Sequence, residues 1–226
     1  MSVLSDTLQI CSVVLQVLLL FFLLSGAFRK YSVVLVFCVM RLASHAILFI
    51  LYHQFGTQSR IYGRGYWTDE VLLDLMLFLV VISLTYKALE DRPQRAFFGK
   101  VLTGIVAGVV ILPFLVFARP FSTHWFDRTS QLLNFGAAIM NLALWSALLG
   151  SKHRDSQLLA VSMGVGVTVT GAAISYGVRQ WLPAHDIVWL PNTFMALTHI
   201  AGVFIWCWAF RPAVTRSVAP AQALKV

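Results

Sequence analysis

Seven long apolar stretches dominate this chain, and little sequence is left between them. Each stretch has about 20 residues or more, which at 1.5 Å of helical rise per residue crosses a hydrocarbon layer of ~30 Å. Because backbone groups in lipid must bond within their own segment, such stretches fold as helices. The sequence predicts an all-α polytopic membrane bundle, with one domain at 1–210 and a short cytoplasmic tail at 211–226. The predicted helices are Leu8–Phe28, Tyr31–His53, Thr68–Ala88, Phe98–Ala118, Thr129–Gly150, Gln157–Val178 and Val188–Phe210.

The composition of the chain agrees with a membrane location. Of its 226 residues, 59% are hydrophobic and 12% are charged, and its mean hydropathy is +0.80. A soluble domain carries about 25% charged residues. The net charge of +8 is typical of basic flanks beside membrane helices, and no basic stripe with interleaved aromatic residues indicates nucleic-acid binding. We therefore expect a multi-pass protein of a cell membrane, with the lipid bilayer and not nucleic acid as its partner.

Basic residues are distributed unequally between the two ends of the predicted helices. One end has eleven: Arg29, Lys30, Lys87, Arg92, Arg95, Lys100, Lys152, Arg154, Arg211, Arg216 and Lys225. The other end has five: Arg60, Arg64, Arg119, Arg128 and Arg179. Because positive flanks stay in the cytoplasm, the pattern predicts an N-terminus outside and a C-terminus in the cytoplasm. The predicted cytoplasmic connections are too short for an output domain, so we expect a protein partner on that side.

Eight polar or ionisable residues inside the predicted helices are costly in lipid unless they are paired or hydrated. Arg41 and His45 are four residues apart and share a helix face, as do Glu70 and Asp74. Counting 1.5 Å per residue from the outer boundary places His45 and Asp74 at similar depths, so Asp74 is expected to neutralise His45 or Arg41. The sequence predicts an outward-facing polar ligand pocket; the alternative is a purely structural network between helices. The predicted pocket residues are Arg41, His45, Glu70, Asp74, Asn134, Asn141, Asn192 and His199.

Small residues at helical spacing predict where helices pack closely. Gly104 and Gly108 form a GxxxG pattern in the fourth helix. Ser162, Gly166 and Thr170 form a ridge of small residues on the sixth. Both spacings are typical of packing seams in membrane bundles.

Two well-known classes of seven-helix protein are excluded by residue type. Retinal attachment needs a lysine inside the bundle, and every lysine here falls at a helix end or in a connection: Lys30, Lys87, Lys100, Lys152 and Lys225. The third helix ends Leu84-Thr85-Tyr86-Lys87, without the acid–arginine pair of G-protein-coupled receptors. The seventh has Pro191-Asn192-Thr193 in place of an Asn-Pro-x-x-Tyr ending. No retinal and no receptor of that class is expected.

His45, Asp74 and His199 lie on the helices that carry the metal ligands of a zinc hydrolase superfamily, which the chain partly resembles. That superfamily includes alkaline ceramidases and progestin/adiponectin receptor proteins, and it has two His four residues apart on helix seven. Here Met195 and Val203 flank His199 at that spacing, and Arg41 replaces the family's Ser. Two His ligands leave zinc one protein ligand short of a catalytic set, so no metal ligand and no catalytic residue is predicted. A bis-His haem between His45 and His199 is another alternative.

The chain also resembles bacterial seven-helix membrane proteins that have no assigned activity. The similarity lies in the layout of the helices, in Tyr66-Trp67-Thr68-Asp69-Glu70 and in the connection at 151–157. It implies a bacterial cytoplasmic membrane location. We interpret the chain as a non-enzymatic protein without a cofactor, acting as a small-molecule sensor or as a membrane partner subunit. A small transporter is the remaining alternative.

Overall fold

The residues that the structure describes fold into seven α-helices and no β-strand. The structure, a computed structural model, describes residues 3–89, 95–117, 120–149, 155–181 and 189–211. The helices are α1 (Val3–Phe22), α2 (Ser32–Phe55), α3 (Arg60–Ala88), α4 (Arg95–Val116), α5 (Thr123–Leu149), α6 (Ser156–Trp181) and α7 (Trp189–Phe210), and a π-helical turn, Leu23–Ala27, follows α1. All seven are long and apolar enough to cross a membrane. The chain is therefore a multi-pass membrane protein; which end faces the cytoplasm stays a prediction.

Three helices begin well before the apolar stretches that predict them. α1 begins at Val3, α3 at Arg60 and α5 at Thr123, where the sequence predicts Leu8, Thr68 and Thr129. Hydropathy marks the lipid-embedded part of a helix and misses polar turns that continue beyond it. Ser59 caps α3, since its hydroxyl accepts a hydrogen bond from the Ile61 N–H at 3.1 Å. The predicted tail at 211–226 lies outside the described residues except for Arg211.

Six helices form a closed ring. Going round it, α1 contacts α2, then come α3, α5, α6 and α7, and α7 returns to α1. α4 lies outside the ring against α3 and α5, while α3 also contacts α6. We call the end where α1, α3, α5 and α7 begin the N-terminal end of the bundle, and the opposite end the C-terminal end.

The tightest packing is between α6 and α7. A Cβ built on Gly164 would lie 2.5 Å from the Trp206 ring and 2.8 Å from the Gly202 carbonyl oxygen. The Trp206 indole is fully buried and donates to the Val161 carbonyl at 2.8 Å. Glycine at these positions lets the two backbones approach, as is typical of helix pairs in membranes.

The predicted GxxxG seam on α4 does not pack within the chain. Gly104 and Gly108 are both exposed, and a Cβ on either would have nothing within 4 Å. The GxxxG pattern lies on a helix as predicted, but the face of α4 that carries it points away from the other helices. Only part of the predicted ridge on α6 packs against other helices. Ser162 is fully buried and Gly166 packs against Asn141, whereas Thr170 is exposed.

Polar contacts join four elements at the C-terminal end. Lys30, between α1 and α2, forms a 3.0 Å ion pair with Asp155 at the start of α6. The Lys87 ammonium of α3 donates to the Lys30 carbonyl at 2.7 Å and lies 4.6 Å from the centre of the Tyr31 ring. The buried Tyr31 ring contacts Phe210 of α7 edge-on at 5.1 Å. These contacts fix the ends of α1, α3, α6 and α7 relative to one another.

Candidate functional site

A cavity of about 600 Å³ lies inside the ring of six helices. Near the N-terminal end it is lined by Tyr62 and Asn192, and toward the middle of the bundle by Arg41 and His199. His199 is ten residues into α7, which places it ~15 Å from the end of that helix. The volume falls within the range of roughly 300–1,000 Å³ found for small-molecule sites.

The structure brings seven of the eight predicted pocket residues to the wall of this cavity. They are Arg41, His45, Glu70, Asp74, Asn134, Asn192 and His199. Asn141 does not line it, and packs against α6, where a Cβ on Gly166 would lie 2.5 Å from its amide nitrogen. The i,i+7 spacing puts Asn141 on the same face of α5 as Asn134, but ~10 Å further from the N-terminal end. Use of these residues in binding stays a prediction.

Each carboxylate of the cavity faces a hydroxyl group. Ser44 of α2 donates to Asp69 of α3. The buried Tyr176 hydroxyl of α6 donates to Glu70 and lies 3.5 Å from Asp74 Oδ2. Glu70 and Asp74 are one turn apart on α3, so both reach the same side of α6. Hydroxyl groups of α2 and α6 therefore face these acids, whereas for Asp74 the sequence predicts a cationic partner.

The ion pair expected between Asp74 and Arg41 or His45 does not form. In the described part of the chain, the ion pair present is Lys30–Asp155, and Arg41 has neither an ion pair nor a hydrogen bond. The Arg41 Nε and His45 Nε2 atoms are buried without a partner. The prediction is based on the similar depths of these residues along α2 and α3. Depth does not determine which neighbouring helix places a hydroxyl beside Asp74, and here α6 does so with Tyr176.

α1 contributes a polar group that the sequence pattern did not predict. Gln16 is 2% exposed, and its amide Nε2 donates to Ser12 Oγ at 3.0 Å and to His199 Nε2 at 3.1 Å. The available signal was the i,i+4 spacing of Ser12 and Gln16 in an otherwise apolar helix.

The N-terminal end of the cavity is aromatic and basic. Tyr52, Tyr62 and Tyr66 line it, with the Tyr52 and Tyr62 rings 6.3 Å apart and those of Tyr62 and Tyr66 stacked at 6.5 Å. The Arg179 guanidinium donates to Asn192 Oδ1 at 2.5 Å and lies 5.2 Å from the centre of the Tyr176 ring. Arg179 thus has a polar and an aromatic partner at the N-terminal end of the cavity. Arg41, further inside the bundle, has neither an ion pair nor a hydrogen bond among the described residues.

The donor groups do not fit the zinc site that the superfamily resemblance implies. Among the described residues, no three or more His, Cys, Asp or Glu side chains are arranged to surround a metal ion. For a bis-His haem, His199 Nε2 is in contact with Gln16, which occupies the position that iron would take on that nitrogen. The residues of the cavity therefore fit neither group.

No family model, no curated protein and no solved structure matches the chain. The chemistry of the cavity is therefore interpreted from its own residues. Its walls combine aromatic rings at one end with carboxylates, amides, imidazoles and a guanidinium further in. A few polar groups converging in a concave site are typical of small-molecule recognition.

Proposed function

We propose that this protein binds a small molecule in the cavity and acts as a membrane sensor without enzymatic activity. The observation that carries the proposal is the cavity itself, which extends from the N-terminal end to Arg41 and His199 inside the bundle. Polar groups at that depth are expensive unless they are paired, hydrated or in contact with a ligand. A network that served only to join helices would pair its charges, whereas Arg41 has no partner among the described residues.

α1 connects the cavity to the C-terminal end of the bundle, so a change at the cavity could be transmitted along it. Gln16 contacts His199 at the cavity wall, and Lys30 lies just beyond α1 and pairs with Asp155 of α6. A ligand that displaces the His199 ring would disturb α1 and so the position of Lys30. We propose that a partner protein contacts this end, which is the predicted cytoplasmic side.

The proposal is tested by the accessibility of matched cysteines on α7. Ala196 lines the cavity, and Ala201 is exposed on the outer surface of the same helix. In a background without Cys11, Cys38 and Cys207, we expect a water-soluble sulfonate thiol reagent to label Ala196→Cys much faster than Ala201→Cys, because thiolates form in water and not in lipid. Equal, slow labelling would mean a dry interior and would refute the proposal.

The same cysteine distinguishes a sensor from a transporter. Sealed vesicles are prepared separately in the two orientations, so that the reagent reaches one end of the bundle at a time. A sensor is expected to be labelled at Ala196→Cys only when the N-terminal end faces the reagent. A transporter alternates access to its central site, so labelling from both sides would favour transport instead.

A further inference from the structure

We propose that Arg41 binds an oxyanion, the carboxylate or phosphate group of a small molecule, in the inner part of the cavity. The inference rests on the proposed function and identifies the chemical class of the ligand. Arg41 differs from the other charged side chains that line the cavity, because it has neither an ion pair nor a hydrogen bond among the described residues.

The acids and the second arginine are already provided with partners. Ser44 donates to Asp69, and Tyr176 donates to Glu70. Arg179 donates to Asn192. These contacts use side chains of α2, α3, α6 and α7, and none of them reaches Arg41.

Arg41 keeps its full hydrogen-bonding capacity. The side chain lines the cavity, and its Nε atom is buried with no partner among the described residues. A guanidinium carries five N–H groups in a planar fork that matches a carboxylate or a phosphate. In the low dielectric of a membrane interior, an unpaired cation strongly favours an anion beside it. Among the described residues Arg41 has no hydrogen-bond acceptor, and a bound oxyanion would supply one.

His45 supplies a second group at the same place. It lies one turn from Arg41 on the same face of α2 and also lines the cavity. Its Nε2 atom is buried without a partner. With the proton on Nε2, the imidazole donates a hydrogen bond to the oxyanion that Arg41 binds. Two unpartnered nitrogens one turn apart on α2 thus belong to side chains that line the same cavity.

The oxyanion could come from a soluble metabolite or from a lipid headgroup, and binding experiments separate these sources. Protein purified in a neutral maltoside detergent is titrated with inorganic phosphate, with benzoate, or with phosphatidate in mixed micelles, at constant ionic strength, and thermal unfolding is recorded. We expect at least one of the three to raise the unfolding temperature. A response to phosphate or benzoate indicates a soluble ligand, and a response to phosphatidate alone indicates a lipid.

The dependence on Arg41 is measured with Arg41→Gln and a matched control, Arg128→Gln, which is exposed on α5 and does not line the cavity. Removing one charged hydrogen-bonding partner is expected to weaken binding by about tenfold to a hundredfold. The control should bind as the wild type does. Equal binding by both variants, or no response to any of the three anions, would overturn the proposal.

A second measurement leaves Arg41 intact, in case Arg41→Gln does not fold. At Ala196→Cys, the responding anion is expected to slow labelling by the sulfonate reagent severalfold, whereas Gln58→Cys in the exposed α2–α3 connection should label at an unchanged rate. If Ala196→Cys is accessible but no anion slows it, the oxyanion proposal fails and the sensor proposal stands. If Ala196→Cys is inaccessible, both fail.

Discussion

At the scale of single residues, the Tyr176 hydroxyl lies between two acids of the cavity. Tyr176 is 2% exposed, donates to Glu70 and lies 3.5 Å from Asp74 Oδ2. Tyr176→Phe removes the hydroxyl that donates to the partly buried Glu70 carboxylate. We expect a loss of about 1–3 kcal/mol of stability, measured by denaturant unfolding in detergent.

Tyr52→Phe provides the comparison for this change. Tyr52 also lines the cavity, but its side chain is 40% exposed, so its hydroxyl can bond to water. Its removal should change stability by less than about 0.5 kcal/mol. Similar losses in the two variants would show that the Tyr176 hydroxyl does not stabilise the acids.

Asp155 makes the C-terminal end of the bundle sensitive to acid. Burial raises the pKa of this carboxyl, but hydrogen bonds from the Leu158 N–H and from Lys30 outweigh burial and bring it below the ordinary value. A carboxylate with a lowered folded-state pKa contributes stability above its unfolded value of about 3.9 and loses it as the pH falls further. The contribution is at most ~1 kcal/mol, since the side chains of Lys30 and Asp155 are 36% and 40% exposed.

Asp155→Asn should therefore remove part of the acid sensitivity. Between pH 7 and pH 3, the unfolding temperature of the wild type is expected to fall further than that of the variant. Other carboxyl groups titrate equally in both proteins, so the difference reports on Asp155. An identical fall in the two proteins would rule out this contribution.

At the scale of elements, the seam between α6 and α7 depends on the absence of side chains. A Cβ at Gly164 would lie 2.5 Å from the Trp206 ring, so Gly164→Ala must move a fully buried indole or separate the helices. Overpacking of this kind costs roughly 1–3 kcal/mol. Thermal unfolding in detergent should show the loss.

Gly104→Ala on α4 tests whether the cost comes from packing. Nothing lies within 4 Å of a Cβ at Gly104, so alanine meets no obstacle there and has the better helix propensity. We expect unchanged or slightly increased stability. A clear loss at Gly104 would indicate that this face of α4 packs against something outside the chain.

At the scale of the whole molecule, the orientation in the membrane remains a prediction of the basic-residue count. Gln58, between α2 and α3, and Ser156, at the start of α6, are both exposed and lie at opposite ends of the bundle. In intact cells, Gln58→Cys should react with a membrane-impermeant reagent, and Ser156→Cys only after permeabilisation. The reverse pattern would place the cavity on the cytoplasmic side.

The helices were predictable because their signal is local. Hydropathy over about twenty residues depends on no other part of the chain, and each of the seven predicted stretches coincides with a helix among the described residues. The starts of α3 and α5 were predicted late, since their first turns contain polar and aromatic residues that hydropathy does not score as lipid-embedded. Capping by Ser59, which extends α3, is a side-chain contact that composition does not reveal.

Which residues line the cavity was also largely predictable, but which of them form hydrogen bonds with one another was not. Polar residues such as Arg41 and His199 are costly in lipid wherever they lie, so their type and depth alone placed them in the interior. Which donor meets which acceptor depends on how the helices are rotated and which of them are neighbours. Tyr176 and Gln16 took the contacts of Glu70 and His199 because α6 and α1 lie beside them.

The sequence by itself determined the number of helices, their apolar surfaces and the set of polar residues that must avoid lipid. Only the tertiary structure decided that α4 stands outside the ring, that Asn141 packs away from the cavity and that Arg41 has no partner among the described residues. The physical reason is that burial from lipid is a property of one residue and its helix. A hydrogen bond or a close helix contact requires atoms from two helices within a few ångströms, and their relative rotation is fixed by the packing of the whole bundle.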